Sequence, residues 1–302
     1  VDVRYRLGRV YETKLNDTAT AIEQYRDALA ASDAHAPTVT ALEALMESPK
    51  HRAAAAAVLE PVYLARLQWP KVQLALEARI ASEDDPDARK TLLGRLGQLH
   101  EDYLEDLDGA FAVYVRLFRE DPRVEGTWDV MTRLSRVLEK WERLADTYRA
   151  ALVDIGVDDE STYKLALLGG EIYETRTRHS EHAIALYRLA HSFAPDDSVP
   201  FTALERLHTQ RKEWSDLLRL YRDRVDGAGS DAERLSLLQK CADLERDRLN
   251  DADLAINSYR AMLDIDPTQP LAIDSLNSIL TVKERWTDLA DLLRLRIEHA
   301  GS

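Results

Sequence analysis

Asn16-Asp17-Thr18-Ala19-Thr20-Ala21-Ile22-Glu23-Gln24-Tyr25, near the start of the chain, returns near its end as Asn250-Asp251-Ala252-Asp253-Leu254-Ala255-Ile256-Asn257-Ser258-Tyr259. Asn-Asp, then Ala-Ile, then Tyr hold one register in both stretches. Between them the frame recurs as Ala110-Phe111 with Tyr114 and as Ala183-Ile184 with Tyr187. In the last three copies Pro122, Pro195 and Pro267 follow the tyrosine by eight residues, and Trp141, Trp214 and Trp286 follow it by 27. Trp69 joins this series, so the tryptophans stand 72, 73 and 72 residues apart. In the first copy the interval from Tyr25 to Trp69 is 44, which places 17 added residues between them. A motif returning at a fixed period marks a repeat array, in which each copy buries its apolar face on its neighbours.

Each period of about 72 residues reads as four amphipathic helices. In the third period they run over 160–177, 180–193, 198–211 and 214–226. The second period gives 88–104, 107–120, 123–138 and 141–154. The fourth gives 231–249, 252–265, 268–283 and 286–299. The first gives 1–14 and 17–31, an added helix near 36–47, then 51–67 and 70–81. Apolar residues keep helical spacing, as in Leu165, Leu168 and Ile172 or Phe201, Leu204 and Leu207. Pro195-Asp196-Asp197-Ser198 stops one helix and caps the next, because proline has no N–H to continue and the Asp and Ser oxygens accept from free N–H groups. Asp226 to Asp231 and Asp266-Pro267-Thr268 do the same. Asp106-Leu107-Asp108-Gly109 reads as a capped turn, and Asn16-Asp17-Thr18 as a turn. Pro61 falls within a helical pattern, where it kinks the helix or marks its first turn. Trp128, Trp141, Trp214 and Trp286, with Leu144, Leu217 and Leu289 three residues after the last three, are expected to anchor the core, and Trp69 with them.

The expected fold class is all-α: an α-α superhelix, a right-handed solenoid of antiparallel helix hairpins. It forms one domain of four units, at about 1–81, 86–154, 159–226 and 230–300. Val1 falls inside the register of a first helix, which suggests a piece excised from a longer protein. Composition agrees with this reading. Of 302 residues 45% are hydrophobic, and Gly (11) and Pro (10) are scarce, which favours a helical core. Alternating Val/Ile/Thr runs and hairpin turn signals are absent. A net charge of −14 disfavours nucleic acid as a partner. No stretch approaches the roughly 20 apolar residues that span a bilayer, and no signal peptide is visible. The single cysteine, Cys241, reads as a small core residue and fits a reducing, cytoplasmic setting.

The residues resemble tetratricopeptide repeats, a family of helix pairs of about 34 residues. Leu7-Gly8, Tyr11, Ala21, Tyr25 and Ala28 match its pattern in the first period. Leu96-Gly97, Ala110, Tyr114 and Pro122 match in the second, with His100 where a tyrosine is expected. Gly170, Tyr173, Ala183, Tyr187 and Pro195 match in the third. The second pair of each period is more degenerate, with Trp128, Met131, Tyr148 and Ala151, then Phe201, Leu204 and Tyr221, in the corresponding slots. The resemblance covers nearly the whole chain and implies about eight pairs. It departs from the family over 33–67 and in the turn joining the better pairs, which is one residue longer.

The resemblance further implies a scaffold for a protein or peptide, with the first helix of each pair on the concave face. Arg9, Gln98, Glu101, Asp129, Arg133, Arg136, Glu171, Glu174, Arg206 and Thr209 would lie near that face. Arg133, Arg136 and Arg206 would form a basic patch suited to an acidic segment or a C-terminal carboxylate. The alternative is a spacer or assembly segment of a larger protein without a dedicated ligand. No catalytic, cofactor or metal-binding residues are expected. His179 and His182 lack the further ligands a metal site needs, and no phosphate loop, nucleophile elbow or zinc-protease motif is present.

Overall fold

A computed structural model of the chain describes residues 1–155 and 160–299. The expected boundary between the second and third periods, and residues 300–302, lie outside the described residues. Among the described residues are seventeen α-helices and no strand. They are α1 (Asp2–Thr13), α2 (Thr18–Ala31), α3 (Ala36–Met46), α4 (Arg52–Ala65), α5 (Trp69–Ile80), α6 (Pro86–Asp102), α7 (Leu107–Glu120), α8 (Glu125–Leu138) and α9 (Trp141–Ile155). There follow α10 (Glu160–Ile172), α11 (Ser180–Phe193), α12 (Ser198–Arg211), α13 (Trp214–Asp226), α14 (Asp231–Asp247), α15 (Ala252–Ile265), α16 (Pro270–Val282) and α17 (Trp286–His299). The fold class is all-α, of the α-α superhelix type. The third period's first helix does not run evenly to 177 as expected: α10 passes into a π-helical turn, Tyr173–Thr177.

Sixteen of these helices form eight hairpins, and α3 is the added helix, packed on α2 and α4. The hairpin turns share one device. Among the described residues, the non-glycine residues at positive φ are Asn16, Leu67, Glu105, Glu139, Arg178, Lys212, Asn250 and Glu284, with φ from 51° to 59°. One stands in the turn of each hairpin. A left-handed residue there reverses the chain within a few residues and lets the next helix fold back.

The two compact units are Val1–Thr147 and Tyr148–Ser302. The core of the first gathers Tyr25, Leu42, Leu59, Leu76 and Leu96, with Trp69 packed at its margin. A core of the second gathers Ile256, Tyr259, Met262, Leu276 and Leu280. Three close contacts fix the hairpin spacing: a Cβ on Gly8 would lie 2.5 Å from the Tyr25 ring, one on Gly97 2.7 Å from Tyr114, and one on Gly170 2.9 Å from Tyr187. The tyrosine ring therefore occupies the volume that the missing side chain frees.

The periodic tryptophans are not core anchors. Trp69, Trp141, Trp214 and Trp286 each begin the second helix of a hairpin, and the first three are only partly buried. Trp286 is 58% exposed, whereas Trp128 is the buried member of the set. The reason is position: at the first residue of a helix the ring lies over the hairpin rim, and the inward stripe begins with Leu144 and Leu217 three residues later. Pro61 stands inside α4 rather than in its first turn. Cys241 is buried, and the expected caps form at Asp106, Asp197 and Ser230.

Candidate functional site

The tyrosine that fills each glycine gap carries its hydroxyl to the edge of the first helix. There it meets the residue 13 positions earlier. Tyr25 donates to Glu12 at 2.5 Å and Tyr187 to Glu174 at 3.0 Å. Burial first, then the Glu101 charge, push the Tyr114 hydroxyl up to about 12. Burial likewise raises Tyr25 and Tyr187, helped by Glu12 and Glu174. In the fourth period Arg246 replaces the glutamate and donates to the Tyr259 hydroxyl at 2.8 Å.

The first helix of the next hairpin completes the arrangement. In the first unit Arg133 of α8 donates to Glu101 of α6 at 2.5 Å. In the second unit Arg206 of α12 donates to Glu174 through both Nε and Nη2, at 2.8 and 2.7 Å. Each unit thus holds a Tyr–Glu–Arg chain that crosses between hairpins, 114–101–133 and 187–174–206, with every member displaced by 73 residues, whereas Glu12 accepts from Arg9 of its own helix at 3.0 Å. The arginine side chains keep 54% and 49% of their exposure while the glutamates are 15% exposed. Pairs this exposed contribute only about 0.2–1 kcal/mol each. Their effect is to fix where the guanidinium sits.

The other residues singled out in the sequence lie beside these chains. Gln98 is exposed on α6, one turn before Glu101, and Glu171 is exposed on α10, one turn before Glu174. Thr209 is exposed on α12, and its hydroxyl donates back to the Glu205 carbonyl at 2.7 Å. Arg136 is exposed on α8. It takes part in none of the ion pairs among the described residues.

Two features were not anticipated from the sequence. Buried glutamates tie helices together: Glu60 accepts from Arg79 and Arg95, and Glu245 from Arg222 at 2.6 Å and Ser258 at 2.6 Å. In the second unit a cavity of about 430 Å³ is lined by Arg188, His191, Leu204, His208, Asp216 and Arg219 among others. His208, Glu213 and Asp216 offer ligand-type atoms within 4.8 Å of one another. His208 Nδ1 lies 2.8 Å from Glu213, while Arg188 donates to Asp216 at 3.0 Å and lies 3.5 Å from His208 Nε2. Arg188 pairs with Asp216 and Arg211 donates to Glu213 at 2.6 Å, so guanidinium groups already stand among these acids and the cluster is an ion network joining α11, α12 and α13. A histidine and two acids scattered over nine residues carry no motif that reading the sequence could detect. His179 and His182 stand with ring centres 5.8 Å apart.

Residues 1–35 match the family model described as the tetratricopeptide repeat. No curated protein matches the chain. Among solved structures, the C-terminal part of a tetratricopeptide repeat-containing protein from Cytophaga hutchinsonii is 14% identical, covering 84% of this chain and 98% of its own, with a TM-score of 0.33. A tetratricopeptide repeat protein from Parabacteroides merdae is 11% identical, covering 92% and 98%, with a TM-score of 0.27. Scores this low support no argument about what the chain binds.

Proposed function

We propose that the chain, whose residues 1–35 match the tetratricopeptide repeat model and whose helices continue as a repeat array, is a binding scaffold of that superfamily that holds a protein or peptide against the face lined by its first helices. That face is the concave one in arrays of this class. The observation that supports the reading is the Tyr–Glu–Arg chain repeated on successive first helices, 114–101–133 and 187–174–206. A guanidinium held by a neighbouring carboxylate and still half exposed is pre-positioned for a second acceptor. Arg136 offers a further cation nearby in the first unit. Gln98, Glu171, Glu174 and Thr209 add amide, carboxylate and hydroxyl groups. In the first unit the ligand that suits these groups carries carboxylates opposite Arg133 and Arg136, and in the second a carboxylate opposite Arg206. The chain acts by binding rather than catalysis, and its charge of −14 disfavours nucleic acid.

The test is capture of partners from the source cell, then titration of a captured partner against the parent and a triple variant, R133A/R136A/R206A. The variant should keep the helical circular dichroism of the parent and bind more weakly. Its affinity should also depend less on salt, since exposed charges are screened over about 8 Å at physiological ionic strength. Equal binding by the variant would remove the arginines from the site.

A further inference from the structure

A second kind of ion pair crosses between first helices, in a register of its own. Glu60 stands nine residues before Trp69 and Glu205 nine before Trp214, so the two share one position in the repeat. Each accepts from a cation 35 residues later, on the next first helix: Glu60 of α4 from Arg95 of α6, and Glu205 of α12 from Lys240 of α14. The Lys240–Glu205 bond is 2.7 Å long. A residue on the second helix of the same hairpin holds each glutamate as well: Arg79 of α5 bonds Glu60, and the Tyr221 hydroxyl of α13 donates to Glu205 at 2.6 Å. Lys240 also lies 5.2 Å from the centre of the Tyr221 ring. Burial by itself would raise the Glu205 carboxyl, but its bonds from Lys240 and Tyr221 hold it below its ordinary value, so it stays ionised.

These pairs lengthen the row of cations in both units. In the first unit α4, α6 and α8 are linked in turn by Glu60–Arg95 and Glu101–Arg133. In the second, α10, α12 and α14 are linked by Glu174–Arg206 and Glu205–Lys240. The side chains of Arg95 and Lys240 are each 43% exposed, close to the values for Arg133 and Arg206. Each of the four cations is therefore held by one carboxylate and open to a second. Asn277 and Ser278 of α16 stand where α12 has Glu205 and Arg206, so the row of the second unit ends at Lys240.

We propose that Arg95 and Lys240 are further ligand-binding residues, and that each unit takes a segment bearing a pair of acidic residues, one carboxylate for each of two neighbouring first helices. The cation pairs are Arg95 with Arg133 in the first unit and Arg206 with Lys240 in the second. The assignment rests on the peptide reading of this face. Neighbouring helices lie about 10 Å apart, which about three residues of extended chain span. Once one carboxylate is bound, the second meets its cation at a high effective concentration, so a paired acid gains over a single one.

The experiment is a fluorescence-anisotropy titration of the 302-residue chain at low salt with two labelled peptides. One is Gly-Gly-Glu-Gly-Gly-Glu-Gly-Gly, and the other has one of its glutamates changed to glutamine. The parent should bind the two-glutamate peptide about threefold or more tightly than the one-glutamate peptide, the factor that one exposed ion pair supplies. R95Q/K240Q leaves a hydrogen-bond donor facing Glu60 and Glu205, so it should keep the parent's helical circular dichroism, and it should bind the two peptides alike. R95K/K240R keeps both charges and should discriminate as the parent does. A parent that binds the two peptides equally, or binds neither, overturns the proposal. A preference that survives in R95Q/K240Q overturns it too, and if that preference is lost in R133A/R136A/R206A the arginine reading stands without it. Binding that none of these variants changes removes both.

Discussion

A left-handed backbone costs roughly 1–2 kcal/mol for a residue with a Cβ, and eight hairpin turns use one. Asn16 and Asn250 are suited to it, because a short polar side chain tolerates the conformation. Leu67 gains nothing from its side chain, which is 65% exposed. Leu67→Gly should therefore stabilise the chain by about 1 kcal/mol in urea melts. An equal or lower midpoint would show that Leu67 contributes packing that its exposure hides. The next residue after the left-handed one caps the second helix: Asp17, Asp106 and Asp251 accept from backbone N–H groups of Thr20, Gly109 and Leu254. The third period has His179 there and forms no side-chain cap, so His179→Asp should add about 1 kcal/mol at neutral pH, read as a higher melting temperature. The caps also set a pH dependence. The Thr20 hydroxyl and backbone hold the Asp17 carboxyl below its ordinary value, and the Gly109 N–H does so for Asp106. A lowered folded-state value means that the stabilisation is complete above the unfolded value near 4 and is lost as pH falls through the folded one. Melting temperature should fall on acidification below about pH 4, and Asp106→Asn should flatten that slope. The asparagine turns were legible in the sequence, whereas the turns at Leu67, Glu139 and Lys212 were not, because nothing in those residue types favours positive φ.

The hairpin is held at one close contact between its helices. Alanine at Gly97 gains about 1 kcal/mol of helix propensity but drives its Cβ to 2.7 Å from the Tyr114 ring, and overpacking of this kind costs about 1–3 kcal/mol. Gly97→Ala should be net destabilising by about 1 kcal/mol in chemical denaturation. The fourth period already carries Ala242 at this position, with a fully buried Tyr259 and Arg246 in place of the glutamate. A neutral Gly97→Ala would mean that the ring gives way as it does there. Helix boundaries and the glycine–tyrosine spacing could be read from the sequence, since apolar period and caps are local signals. The role of the tryptophans could not, because Leu217 three residues after Trp214 satisfies the same period, and the pattern does not say which of them faces inward. Trp214 is half-buried with Arg248 5.2 Å above its ring. Of the candidate site, register placed Arg133, Arg206, Glu101 and Glu174 on first helices, but the pairing of each arginine with a glutamate 32 residues earlier was not legible.

Two compact units, 1–147 and 148–302, make up the molecule, and each helix packs chiefly on its neighbours in the chain. Damage should therefore remain local. Phe111 is fully buried in the first unit, and Phe111→Ala should cost about 3–5 kcal/mol. Hydrogen exchange should quicken in α6, α7 and α8 and remain unchanged in α14 and α15. Uniform loss of protection would show one cooperative body. The same neighbour-by-neighbour packing has a consequence in time. A helix has only to find a partner one short turn away, so little loop entropy is spent before contacts form, and chains dominated by local contacts fold in microseconds to milliseconds. The order of events is correspondingly free: a hairpin in either unit can serve as the nucleus, and the 17 added residues around α3 lengthen one local search without delaying the others.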